Sequence, residues 1–515
     1  MRSPDTPTKV WWRRRGSPAL LVPLVIFLAQ AVWLFDFSID DASISYRYAE
    51  HLADGDGLRW NPDGPAVEGY SNFLWVLILA GGSRLGFDTD NFASALGVLL
   101  GLANLLLFYV LCHRLWSGRP YWWFPVLLVA ATPVWVMWLT SGLEIALFGL
   151  FLLLILLGLT GSSRQKIVFL SVGLAGLSLT RPEGVALAAV GLVCVWIADR
   201  KLTPVRKAVL YGIPAVVLGV VTIGLVVFRL AYFGYPLANT VYAKFSLSLP
   251  SAGEVGKWLV FGLPFFAAWL WAGYYRAAVP HRAALAAAIA LVAAQMILVL
   301  PVVPAMYFMH RYQIAFLPLL ILTVPFLLAE VSRRRRVFAV ILAAGLLVWT
   351  MQGWPKVIKR YEAEKYAMKR QRCVAENLLS LPAPVTVALI DAGRIPYWSD
   401  LPSFDIWGLC DAEIAHHGFS YESTLGRNPD VYVMSLNIID GQVYPRLGMD
   451  IMVSGNPTFK EKYRLWKICV GTPPTIEWYY DYGIFINTDW ADRHNLVIQK
   501  REVQLLRPEK KQITP

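Results

Sequence analysis

Phe37-Ser-Ile-Asp40-Asp41-Ala-Ser-Ile-Ser-Tyr46-Arg47-Tyr48-Ala-Glu50 stands directly behind an apolar run from Ser17 to Phe35. The run is free of charge and is led by Arg13, Arg14 and Arg15. No small-residue cleavage site of the A-x-A kind follows it, so it reads as a retained first span with its N-terminus in the cytoplasm. Two adjacent aspartates just past the end of a span are unfavourable unless solvated, paired or functional. One reading is a solvated helix N-terminus, where aspartate suits the helix dipole. The other is a carboxylate that takes a proton from an acceptor hydroxyl. Both stay open on these residues alone.

Outward from this loop, the chain is a succession of apolar runs. Of 515 residues, 57% are hydrophobic and 16% charged, with a mean hydropathy of +0.49. That excludes a disordered chain and argues against an ordinary soluble enzyme. Charge-free runs recur at 17–35, 91–112, 120–140, 145–160, 167–180, 184–198, 208–228, 258–275, 283–303, 312–329 and 337–354, eleven candidate spans. The two short ones, 167–180 and 184–198, flank Arg181-Pro182-Glu183-Gly184. With the N-terminus inside, the cytoplasmic loops hold Arg114 and Arg119, Arg164 and Lys166, Arg200, Lys201, Arg206 and Lys207, Arg276 and Arg282, and Arg333 to Arg336. The opposite loops hold fewer cations, chiefly Arg181, Lys244, Lys257 and Arg311. This alternation obeys the positive-inside rule, and the odd count puts the C-terminus outside. Asn72 to Gly82 is apolar but short, and counting it as a span would invert every later loop. It reads as a helix at the outer interface or partly re-entrant.

Lysine and arginine total 47 against 35 acidic residues, a formal charge of +12. Because the excess lies between apolar runs, it marks membrane topology, and no base-stacking motif points to nucleic acid. After Pro355 the chain turns mixed. A helical stretch near Val357–Leu379 precedes β-like runs at Val385–Ile390, Val431–Met434 and Tyr482–Ile486, which predicts a small α/β domain. Of five cysteines, Cys112 and Cys194 lie in apolar runs, and Cys373, Cys410 and Cys469 allow one disulfide whose pairing is unreadable.

The first loop continues through Trp60-Asn61-Pro62 and Val67-Glu68-Gly69-Tyr70-Ser71-Asn72-Phe73-Leu74-Trp75. Together with Ile39-Asp40-Asp41-Ala42 and Tyr46-Arg47-Tyr48-Ala49, it resembles the polytopic bacterial glycosyltransferases of the GT-C superfamily. More narrowly, it is similar to their arabinofuranosyltransferase-like members. The resemblance continues at Ser141-Gly-Leu-Glu144, at Leu179-Thr-Arg181-Pro182-Glu183-Gly184 and at Phe233-Gly-Tyr-Pro236-Leu-Ala-Asn239-Thr-Val-Tyr242-Ala-Lys244. It extends to His310-Arg311-Tyr312 and, in the tail, to Asp391-Ala-Gly-Arg-Ile-Pro-Tyr397 and Phe404-Asp405-Ile-Trp-Gly408-Leu-Cys-Asp411. One local departure is Leu237-Ala238-Asn239, where relatives more often read Leu-Pro-Asn.

The resemblance implies a polytopic α-helical membrane protein of the GT-C fold. Residues 1–354 would be the transmembrane catalytic domain, with the first outer loop at 36–90, and 355–515 an extracytoplasmic α/β domain. It implies a bacterial plasma-membrane enzyme that moves a sugar from a polyprenyl phosphate to an envelope glycan or surface protein, D-arabinofuranose being one candidate sugar. Asp40 is the favoured base, with Asp41 close behind. Lys244, Arg311 and Arg181 would gather the leaving phosphate, with His310 as a further candidate. Arg47, Glu68, Tyr70, Asn72, Glu144, Glu183, Asn239 and Tyr242 are candidates for the sugar and acceptor pocket. Metal use varies across the superfamily and no ligand cluster is visible, so a divalent metal is left unassigned. Partners are the lipid-linked donor, the acceptor and the bilayer, with no nucleic acid. The rival class is a membrane transporter or lipid-linked sugar flippase, which would show paired repeats and broken helices near the midplane. No repeat is present, and the candidate residues gather on one face.

Overall fold

A computed structural model describes residues 17–198, 202–246, 249, 251–274, 282–304, 307–382, 385–439, 442–471 and 480–498. Arg13 to Arg15, Arg200, Lys201 and Arg276, which enter the charge map above, lie outside them. In hydrocarbon every backbone N–H and C=O must find a partner within the protein, so charge-free stretches fold as helices. The first are α1 (Ser17–Trp33), α2 (Asp40–Asp54), α3 (Phe73–Arg84), α4 (Thr89–Trp116), α5 (Phe124–Ala130) and α6 (Pro133–Leu139). Next come α7 (Ile145–Thr160), α8 (Ser163–Thr180), α9 (Gly184–Ala198), α10 (Pro204–Tyr232), α11 (Asn239–Lys244) and α12 (Ala252–Tyr274). The series continues with α13 (Arg282–Leu298), α14 (Leu317–Ile321), α15 (Val324–Arg334), α16 (Arg336–Met351) and α17 (Trp354–Leu379).

Among the described residues, five segments are long and apolar enough to cross a membrane: Thr89–Trp116, Pro204–Tyr232, Ala252–Gly273, Ile314–Arg334 and Arg336–Leu379. Further apolar helices of 10–17 residues include Ala19–Trp33, Ile145–Thr160, Gly184–Ile197 and Arg282–Leu298. The chain is a multi-pass membrane protein. The α3 helix has 12 residues, a rise of about 18 Å, too little for a hydrocarbon core of about 30 Å. It packs against α2, α4 and α8.

Two apolar runs are not continuous helices. The 120–140 run breaks between α5 and α6, where Thr132 is extended (φ −84°, ψ 104°) and Pro133 has no N–H to donate. The 312–329 run is a 3-10 turn at Ile314–Phe316 followed by α14 and α15, with Pro318 and Pro325 in their first turns. Both lie inside the bundle, where neighbouring side chains take up the freed carbonyls. Gln30 Nε2 donates to Ala130 O (2.7 Å). Trp269 Nε1 donates to Leu320 O (2.8 Å), and Trp116 Nε1 to Leu322 O (2.9 Å). Irregular backbone at membrane depth is tolerated on this condition.

Beyond α17 the chain builds a mixed sheet, interleaved with the short helix α18 (Arg394–Ser399) and others. Its strands are β1 (Val387–Leu389), β2 (Ser403–Asp405), β3 (Val431–Ile439), β4 (Gln442–Pro445), β5 (Tyr463–Cys469) and β6 (Asp481–Asn487). The order is β2-β1-β3-β6-β5, with β4 paired to β3 beside the main path. β1 runs parallel to β2 and β3, while β6 runs antiparallel to β3 and β5. The period-two rule gives the sheet two apolar faces. Val387, Leu389, Val431, Val433, Ile484 and Ile486 pack with Val374 and Leu378 of α17. Ala388, Tyr432, Met434 and Phe485 point the other way, onto Val453 and Phe459. A disulfide joins Cys373 of α17 to Cys469 of β5, and Cys410 is a buried free thiol.

At the junction of the first loop and the bundle, Glu68 is buried against Arg229 near the end of α10. Arg229 Nε and Nη2 donate to its two carboxylate oxygens at 2.7 and 2.8 Å. Breaking a buried pair strands one charge and costs about 3–5 kcal/mol. Arg229→Met is therefore expected to lower the thermal stability of the detergent-purified protein by that order, and adding Glu68→Gln to recover part of the loss.

Candidate active site

Asp40 and Asp41 open α2, where exposed N–H groups and the helix dipole favour carboxylates. Successive helical residues diverge by about 100°, and the two side chains leave in different directions. Asp41 Oδ2 accepts from Arg311 Nη1 (2.6 Å). Asp40 Oδ1 accepts from the backbone N–H of Arg394 (2.8 Å) and from Gln371 Nε2 (2.9 Å). Two cavities of about 370 and 330 Å³ meet at this pair. Asp41 lines both, and Asp40 lines only the second.

The first cavity gathers side chains from separate loops. Glu144, Arg181, Lys244 and Arg311 all line it, along with Tyr70, Asn72, Glu183 and Asp41. Ser45 Oγ donates to Asn72 Oδ1 (3.1 Å), and Asn72 Nδ2 donates to Glu144 Oε2 (2.9 Å). Glu144 also pairs with Arg181, whose Nε reaches Glu183 Oε1 at 2.6 Å. The Arg181 guanidinium lies 5.0 Å from the Tyr312 ring centroid. Lys244 is set by an isolated bridge between Phe245 and Val302 and by Val303 N–H donating to Lys244 O (3.1 Å). Its ammonium makes no ion pair among the described residues. The Nε of Arg311 is buried and has no hydrogen-bond partner among the described residues. Burial pulls the Lys244 ammonium below its usual value, against the opposing charge of Asp41. Burial alone would raise Asp41, but Arg311 and Lys244 outweigh it and hold that carboxyl below its ordinary value. The remaining wall is apolar, formed by Val241, Phe245, Ile297, Leu298, Pro301 and Val302.

The second cavity lies between α2, α17 and the sheet. Gln371 holds Asp40 and also donates to the Tyr482 hydroxyl (3.2 Å). Tyr482 and Tyr480 both donate to Asp391, Tyr480 at 2.7 Å to Oδ2. Arg394 donates to Gln371 Oε1 (2.9 Å), Glu364 Oε2 (3.2 Å) and Ser38 O (2.6 Å). A Cβ at Gly393 would collide with the Asp40 carbonyl and carboxylate oxygens, so glycine is required there. Burial pushes Asp40 up to about 7, the negative charge of Asp391 adds to it, and Arg394 opposes it. Burial raises Asp391 as well, against the two tyrosine hydrogen bonds.

Several candidates from the sequence line neither cavity. Arg47 is buried and donates to Trp60 O (2.8 Å), Leu401 O (3.1 Å) and Pro396 O, tying α2 to the tail. Glu68 is taken by Arg229. Asn239 Nδ2 donates to the carbonyls of Gly408 (2.8 Å) and Leu409 (2.9 Å). Tyr242 packs on His416, with ring centroids 4.2 Å apart. His310 packs between Trp258 and Phe261 and lines neither cavity. Burial, with Lys356 and Lys257, lowers its imidazole to about 4. Met309 and His310 both adopt left-handed backbone (φ 47° and 60°), a strained turn that places His310 in this apolar packing while Arg311 faces Asp41. Conversely, Gln371, Tyr480 and Tyr482 join the second cavity without standing in any of the motifs, whereas Arg394 belongs to the Asp391 to Tyr397 motif. No group of three or more His, Cys, Asp or Glu able to hold a metal occurs among the described residues.

No curated protein matches the chain in sequence. Residues 357–485 match a family model described as a domain of unknown function (DUF8728). Among solved structures, ArnT from Cupriavidus metallidurans bound to undecaprenyl phosphate aligns with a TM-score of 0.54 and 13% identity, over 91% of this chain and 97% of that one. ArnT in the apo state gives 0.54 and 14%, over 91% and 98%. The chain has the GT-C fold. A weaker similarity, to an oligosaccharyltransferase from Archaeoglobus fulgidus, has a TM-score of 0.49 at 13% identity, over 81% of this chain and 67% of that one. The DUF8728 stretch contains Gln371, Asp391, Arg394, Tyr480 and Tyr482, all of which line the second cavity with Asp40.

Infrared difference spectroscopy across pH 5–9 is expected to show a carboxyl that deprotonates near pH 7 and vanishes in Asp40→Asn. Asp391→Asn removes one of the charges that raise it, so the transition moves to lower pH. A transition that stays in place in Asp391→Asn refutes the coupling.

Proposed function

We propose that the chain is an inverting glycosyltransferase that moves a sugar from a polyprenyl phosphate to an envelope glycan or surface protein, with D-arabinofuranose as a candidate sugar. The observation that carries this reading is the pair of cavities meeting at Asp40 and Asp41. The first combines cations with an apolar wall, which suits an anion on a long hydrocarbon chain. The likeness in fold to ArnT, solved with undecaprenyl phosphate, supports the same choice.

In this reading, Lys244 and Arg311 take the donor phosphate, Lys244 as a point charge and Arg311 through its guanidinium. Arg181, engaged by Glu144 and Glu183, shapes the pocket rather than supplying a free charge. The acceptor hydroxyl enters from the second cavity. Its oxygen attacks the anomeric carbon on the face opposite the phosphate, and the carbon–oxygen bond to phosphate breaks. The electron pair leaves with the polyprenyl phosphate, and the hydroxyl proton passes to Asp40. Asp40 faces the acceptor side and its raised pKa makes it the better base. Asp41, kept ionised by Arg311 and Lys244, divides the two cavities and fixes Arg311.

The reading includes eleven spans in a bacterial plasma membrane, with the N-terminus cytoplasmic. Residues 1–354 form the membrane domain and 355–515 the outer α/β domain. The Cys373–Cys469 disulfide supports an oxidising location for that tail.

The test uses purified protein in lipid with a panel of polyprenyl-phosphate sugars, following donor and product by mass spectrometry. Asp40→Asn is expected to lower turnover by about 10²–10⁴-fold, the usual contribution of a general base. Full activity in that variant moves the role to Asp41. Turnover of the native protein is expected to rise with pH through about 7, because the base acts deprotonated. Lys244→Met is expected to raise KM for the donor by about tenfold, one lost charge-assisted contact.

A further inference from the structure

A third cavity, of about 310 Å³, lies far from the Asp40–Asp41 pair. It is lined by Arg119 and Pro120 after α4 and by Ser332, Arg333 and Arg336 at the α15–α16 junction. Asp90 in the first turn of α4 lies against Tyr46 of α2, and the helix ends at Trp116, two residues before this cavity begins at Gly118. Its 28 residues rise about 42 Å, the thickness of a bilayer with its headgroups. The cavity therefore sits at the opposite membrane interface.

Its charges are organised. The Arg119 guanidinium lies 4.5 Å from the Phe326 ring centroid, and its Nη1 is 3.2 Å from Glu330 Oε1. Arg333 Nη1 reaches the same oxygen at 3.2 Å. Three guanidiniums line the cavity, two of them paired with Glu330, and the Ser332 hydroxyl adds a donor. Arg334 and Arg335 stand beside them. Immediately after Arg336, Val337 and Phe338 are exposed and apolar, where acyl chains would lie. Fixing membrane orientation needs only positive charge in this loop. It does not need an arginine stacked, ion-paired and built into a cavity wall.

We propose that this cavity binds the phosphodiester headgroup of an anionic phospholipid in the leaflet opposite the Asp40–Asp41 site. Arginine forks match phosphate oxygens, and basic pockets between spans hold anionic headgroups. The proposal stands apart from the reading of the outer cavities.

The experiment is native mass spectrometry of the full chain with added phosphatidylglycerol or phosphatidylcholine. Phosphatidylglycerol is expected to be retained at least about tenfold better, and Arg333→Gln with Arg336→Gln to abolish that preference. Equal retention of the two lipids, or an unchanged preference in the variant, overturns the proposal. A parallel measurement needs no variant: phosphatidylglycerol with a photoreactive headgroup is expected to label residues 117–121 or 332–338, and labelling confined to other segments refutes the site. Glycerol 3-phosphate is included as competitor. Failure to displace the lipid is expected, and displacement at comparable concentration would mean a free phosphate ester is the ligand instead.

Discussion

Two neighbouring carboxylates on the first turn of one helix cannot share a direction, and the site is organised around that constraint. The helix N-terminus welcomes both charges, yet each must find its own partner. Asp41 turns to Arg311, supplied by the loop before the 3-10 turn and α14. Asp40 turns to Gln371 and to the backbone of Arg394, supplied by the tail. One dipeptide thus stitches the membrane bundle to the sheet domain, and leaves its two acids in different electrostatic states.

The surrounding charges follow the economy of a low-dielectric interior. Glu144, Arg181 and Glu183 satisfy one another, as do Glu68 and Arg229. An unpaired buried ion is strongly unfavourable unless something else meets it. Among the described residues the Lys244 ammonium stands outside this self-sufficiency and lines the amphipathic cavity. In the proposed reading, that incompleteness, rather than the number of cations nearby, is what an incoming anion meets.

Much of this was legible in the sequence because it rests on local rules. Charge-free runs became helices, and the loops holding Glu144, Arg181, Lys244 and Arg311 converge on one cavity. The β-like runs of the tail lie in β1, β3 and β6. Breaks at Pro133, Pro318 and Pro325 escaped notice because apolarity masks them until the side chains that cap the freed carbonyls are known. Of the partners of Asp40, Gln371 lies 331 positions away and carries no periodic or spacing signal, whereas Arg394, 354 positions away, belongs to the Asp391 to Tyr397 motif. Arg47, Asn239 and His310 stood in conspicuous motifs, yet their motifs serve docking and packing.

The closure of the site by the tail has a consequence for how the protein comes into being. Ribosomes release the first helix pair long before residues 371–482 exist. Until those residues arrive, Asp40 has neither of its two hydrogen-bond donors. A nascent chain with every membrane helix already inserted would still hold Asp40 without either donor. The surroundings of Asp40 are thus completed only once residue 394 has emerged.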